Sequence, residues 1–84
     1  MANLTSLQNI GKELERKLNA VGIMTAEELK STGSEEAFIR LKAIYPEVCL
    51  VHLYALEGAV TDTEYNQLDE DVKRSLKTIS DRFK

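Results

Sequence analysis

The segment EVCLVHLYALEGAV, residues 47 to 60, constrains this chain more than any other. Between Val48 and Leu56 only His52 is strongly polar. Nine such residues are too few to cross a bilayer, which takes roughly 20 apolar residues in a helix. The cover for this surface therefore has to come from the rest of the chain. A helix that is apolar all round belongs at the centre of a fold. Val48, Leu50 and Val51 carry some strand preference, but Ala55, Leu56 and Glu57 favour helix, as do the flanking segments. The reading is an all-α fold of about five short helices built around residues 47–59.

The flanks supply one-faced helices. Leu14, Leu18 and Val21 recur at helical spacing behind Gly11, and Gly22 closes that segment. Thr25 with Glu28 three residues on forms a capping box, so a short helix should start at Ala26 and end at Gly33. A third helix is predicted from about Glu35 to Ile44, with Phe38, Leu41 and Ile44 or Tyr45 inward. Pro46 stops it and suits the first turn of the central helix. Thr61 with Glu64 offers another capping box. Asp69 offers a cap for a final helix whose acidic first turn is followed by the stripe Val72, Leu76, Ile79 and Phe83. Leu7-x3-Gly11-x-Glu13 recurs faintly as Leu29-x3-Gly33-x-Glu35, as two adjacent hairpins would.

A chain of 84 residues is read as one domain, residues 1–84. Its 43% hydrophobic and 30% charged residues balance as in folded soluble chains. The net charge of −3 opposes general binding to polyanions and leaves room only for a local basic patch. The N-terminus lacks the basic start and apolar run of a signal peptide. The lone Cys49 rules out an intrachain disulfide, so a cytoplasmic location is expected.

The stretch LQNIGKELERKL has the form of a helix-hairpin-helix turn, which can hold a phosphate on backbone N–H groups at a helix start. The nucleic-acid contacts this implies are Asn9, Ile10, Gly11, Lys12 and Arg16, with Gly11 making the tight turn and Lys17 close behind. Asn9 stands where the glycine-x-glycine form has its first glycine, and asparagine tolerates the left-handed region. Glu13 and Glu15 offset the three cations, so the first 20 residues carry only +1. Nucleic-acid binding is therefore the alternative reading, and a structural corner or protein contact is preferred.

Other constellations are weaker. Cys49 and His52 share a helix face, but no second histidine or cysteine completes a zinc site, so Cys49 is read as a buried small hydrophobe beside a satisfied histidine. Glu57 is read as structural, the cluster Asp69, Glu70, Asp71 as a charged helix start, and the three tyrosines as core and edge residues without interleaved cations. No phosphate loop, catalytic triad or dinucleotide fingerprint is present. The chain is read as non-enzymatic, without metal or cofactor. The apolar excess over residues 48–56 suggests a patch for a partner protein or a second copy, a homodimer.

The motifs NIG (9–11), VGI-x-T-x-EEL (21–29), G-x-x-EAF (33–38) and LYALEGA (53–59) resemble the C-terminal domain of the TfoX (Sxy) competence regulators, from about Leu7 to Leu76. The resemblance implies that Asn9 belongs to the family hairpin. It implies a fold and a regulatory role, with no catalytic residues to carry over. Tyr65 stands where the family often has tryptophan, followed by the matching Leu68. The full-length bacterial regulators carry a further N-terminal domain and promote expression of DNA-uptake genes. Because this chain begins almost at the hairpin, a stand-alone version of the C-terminal domain is expected.

Overall fold

In the computed structural model, residues 3–82 are described, and they form five α-helices: α1 Lys12–Ala20, α2 Ala26–Thr32, α3 Ser34–Ile44, α4 Leu50–Thr61 and α5 Glu70–Asp81. Single 3-10 turns lie at Leu4–Ser6 and Tyr65–Gln67. The all-α reading holds. The small stabilising signals near the start of the chain hold as well. α1 ends in a paired-hydrogen-bond stop. Gly22 adopts φ +88°, its N–H donates to Asn19 O at 3.1 Å, and the Ile23 N–H donates to Leu18 O at 3.0 Å. Ile23 and Leu18 are both buried beside that stop, the usual companion of this cap. The capping box at Thr25 forms: the Glu28 N–H donates to Thr25 Oγ1 at 3.1 Å. The Glu28 carboxylate reaches one residue further back than usual, to the Met24 N–H at 3.0 Å. Gly33 ends α2 and begins α3.

α4 sits at the centre as expected, with Leu53, Leu56, Gly58 and Ala59 buried. α3 contributes Ala37, Phe38 and Leu41 to the core, and Tyr45 rather than Ile44 turns inward, leaving Ile44 exposed. α1 adds Leu14 and Leu18, α2 adds Leu29, and α5 adds Leu76 with Val72 and Ile79 half-buried. Phe83, the last member of the predicted stripe, lies outside the described residues.

Three local signals were satisfied differently from the prediction. Pro46 does not open the central helix. It sits in a turn closed by the Val48 N–H donating to Tyr45 O at 3.0 Å, and α4 begins only at Leu50. Lys42 holds that turn, its ammonium donating to Pro46 O at 2.8 Å and Val48 O at 2.6 Å. The turn lets Val48 drop fully into the core before the helix starts. Thr61 and Glu64 make no capping box. Thr61 is the last residue of α4 and its hydroxyl donates back to Glu57 O at 2.9 Å. The helix stops because Asp62 takes left-handed angles, φ 57° and ψ 46°. Asp69 does precede α5, but its side chain makes no capping bond, so Glu70 and Asp71 supply the favourable charge at that helix start.

Candidate functional site

The hairpin leads from the first 3-10 turn into α1, and Asn9 rather than Gly11 makes its tight turn. Asn9 adopts φ 70°, in the left-handed region. Gly11 is extended at φ −92° and ψ −179°, a conformation open to any residue, and a β-carbon there would meet nothing within 4 Å. The predicted role of Gly11 is corrected accordingly.

The Asn9 side chain points into the protein. Its Nδ2 donates to Thr63 O at 3.0 Å and, at the long limit of 3.5 Å, to Ala55 O. Its Oδ1 accepts from the Tyr65 N–H at 3.2 Å. One amide thus ties the hairpin to α4 and to the segment after it. Gly58 makes this approach feasible. A β-carbon on Gly58 would lie 2.3 Å from Thr63 O and 2.4 Å from Asn9 Nδ2, closer than real β-carbons approach heavy atoms. The NIG and LYALEGA motifs, far apart in sequence, therefore meet at one joint. Only the positive φ of Asn9 was legible beforehand; the partner glycine was not, because no local periodicity links the two.

The remaining residues of the predicted nucleic-acid set are spread between core and surface. Ile10 is buried in the core. Gly11 and Lys12 are exposed. Arg16 is exposed and bonded to Glu13, and that hydrogen bond and charge hold the Glu13 carboxyl below the usual carboxylate range. Lys17 is buried, its ammonium 3.4 Å from Glu47 Oε2 and 5.3 Å from the centre of the Tyr45 ring. Of the cations behind the hairpin, Lys12 alone is left unpaired among the described residues.

Beside the hairpin runs a mostly apolar groove of roughly 250 Å³ between α1 and the first half of α4. Leu14, Val51 and Ala55 give it apolar walls, and Gly11, Lys17 and His52 border it. Val51 is 57% exposed, the least covered large residue of the central helix.

At the start of α4, Cys49 is exposed, which corrects its reading as a buried residue. It occupies the cap position outside the helix, in extended conformation. His52 Nδ1 accepts the Cys49 N–H at 3.1 Å and lies 3.5 Å from Cys49 Sγ. The histidine is satisfied, as expected, by capping the helix that carries it. An Nδ1 that accepts a backbone N–H has no proton, which assigns the proton of the neutral ring to Nε2. Burial, and then the charge of Lys17, hold the His52 pKa below its ordinary 6.5. Glu57 accepts from the Ser34 hydroxyl at 2.6 Å, joining α4 to the start of α3. Among the described residues no group of three or more His, Cys, Asp or Glu side chains could hold a metal ion, and no helix is long and apolar enough to cross a membrane.

Tyr54, read from the sequence as a core or edge residue without interleaved cations, is half-buried against the core. It lies beside Lys73, Arg74 and Lys77 of α5, although no cation neighbours it in the sequence.

These features define a class: a small helical domain entered through an asparagine-locked hairpin and wrapped around one apolar helix. The chain belongs to the TfoX C-terminal domain family, whose profile matches residues 1–79. Solved structures similar to it include two from Listeria monocytogenes. A crystal structure of an uncharacterized protein from Listeria monocytogenes, in a triclinic form, is 48% identical with a TM-score of 0.94, covering 96% of this chain and 92% of that one. A protein of unknown function from Listeria monocytogenes, in a tetragonal form, is 46% identical with a TM-score of 0.94, covering 98% of this chain and 100% of that one. Among curated proteins none matches.

Proposed function

We propose that this chain is a small non-enzymatic interaction module with a regulatory role, which engages a partner protein or a second copy of itself through the groove between α1 and α4. The observation that carries this reading is Val51. It lies in the most apolar helix of the protein and is 57% exposed, at the mouth of a groove walled by Leu14 and Ala55. Exposed apolar surface that adjoins a groove suits a partner better than water. Membership of the TfoX C-terminal domain family supports the regulatory part.

Sedimentation equilibrium tests the self-association arm. A dimer that reverts to the 9.5 kDa monomer in Val51→Glu supports the groove as the contact. A single 9.5 kDa species up to high concentration removes the homodimer. Nucleic acid held at Asn9, Ile10, Gly11, Lys12 and Arg16 is the weaker alternative. Asn9 and Ile10 face inward and Lys17 is buried, so Gly11, Lys12 and the solvent-exposed Arg16, which shares its charge with Glu13, are the open contacts that remain.

A further inference from the structure

Lys73 and Lys77 stand four residues apart on α5, and neither forms an ion pair among the described residues. With Arg74, Glu70 and Tyr54 of α4 they line an open cleft of roughly 300 Å³ that shares no residue with the groove beside the hairpin. Three cations against Glu70 and the Asp71 that Arg74 bonds leave this cleft a local excess of one positive charge on a chain whose net charge is −3. Arg74 does bond Asp71 at 3.3 Å, but both side chains are largely in solvent, and such exposed pairs contribute little and exchange readily. The Tyr54 hydroxyl has no hydrogen-bond partner among the described residues. The cleft therefore offers ammonium, guanidinium and phenol donors beside the exposed part of a tyrosine ring that is half-buried against the core.

We infer that this cleft binds a short stretch of single-stranded nucleic acid. Lys73, Arg74 and Lys77 contact successive phosphates, and the part of the Tyr54 ring left outside the core meets one base. Cations that track a backbone beside an aromatic side chain are the elements of sequence-tolerant single-strand binding. A flexible single strand also suits a protein of net negative charge, because it can follow a local basic strip without laying the rest of its charge along acidic surface. An acidic peptide would satisfy the lysines but would make no use of the tyrosine ring.

Fluorescence anisotropy of a labelled oligothymidylate against the full chain at low salt provides the test. Three phosphate contacts predict a slope of about −2 for log affinity against log salt on a single strand. Lys77→Gln should weaken binding several-fold and flatten that slope by about 0.7, one contact's worth. Lys12→Gln, with the same loss of charge at the hairpin, should leave both unchanged. Circular dichroism confirms that each variant is folded, which these exposed positions predict. Three results would overturn the inference. One is no binding at high micromolar protein. Another is a loss from Lys12→Gln as large as that from Lys77→Gln. The third is displacement by polyglutamate as effective as by unlabelled oligothymidylate, which would make this a carboxylate-binding surface.

Discussion

The hairpin at residues 7–12 and the α4–α5 cleft both combine cations with a feature suited to nucleic acid, yet the fold treats them differently. At the hairpin, Arg16 bonds Glu13, Lys17 is drawn under Tyr45 toward Glu47, and the Asn9 amide is used inside the protein. In the cleft, Arg74 bonds Asp71 in the same way, but Lys73 and Lys77 form no ion pair among the described residues and line the cleft with Tyr54. The hairpin has the motif and little free charge; the cleft has free charge and no motif. A motif that resembles a binding turn can thus serve the joint it makes, while free cations can be gathered beside an aromatic side chain by helices with no shared sequence signal.

The joint can be broken at several depths. Leu53→Ala, in the fully buried face of α4, should give the largest effect, about 2–5 kcal/mol by urea unfolding. A change within ~0.5 kcal/mol would remove α4 from the centre of the fold. Gly58→Ala comes next. Its new methyl collides with a backbone carbonyl oxygen and with the amide of Asn9, so a loss of about 1–3 kcal/mol or somewhat more is expected. A neutral result would mean that the hairpin does not approach α4 so closely.

A smaller effect concerns pH. His52 has a lowered pKa in the folded protein, chiefly from burial, so between its folded value and 6.5 the unfolded chain binds the extra proton. Its contribution is present above pH 6.5 and is lost as pH falls through the folded value. Protonation of Nδ1 also removes the acceptor for the Cys49 N–H. The urea midpoint should decline modestly from neutral pH to just below the folded pKa, because the half-exposed ring is screened by solvent. In His52→Gln that decline should flatten. An equal decline in both proteins would assign it to other groups.

Legibility in the sequence followed the range of the interaction. Gly22, Thr25 with Glu28, and Gly33 are satisfied within a few residues, and each acts where the sequence places it. The central helix was legible because its composition leaves few alternatives. Pro46 and Thr61 were also local signals, but tertiary packing overrode both: Val48 had to reach the core, and Asp62 had to end α4 where the Asn9 joint closes over it. The exposure of Cys49 followed from that displaced helix start. The Asn9–Gly58 contact and the gathering of Tyr54 with the α5 cations depend on how helices pack, which periodicity along one helix does not encode.

The most direct test of the central claim compares the two hairpin positions by urea unfolding. Asn9→Ala strands two carbonyls and one N–H that the amide now serves, and should cost about 1–3 kcal/mol. Gly11→Ala should fall within about 0.5 kcal/mol, since its extended angles suit alanine and the weaker helix cap is offset by a less flexible unfolded chain. A stable Asn9→Ala beside a strongly destabilised Gly11→Ala would contradict the account and return the hairpin to the glycine-built turn that its sequence suggests.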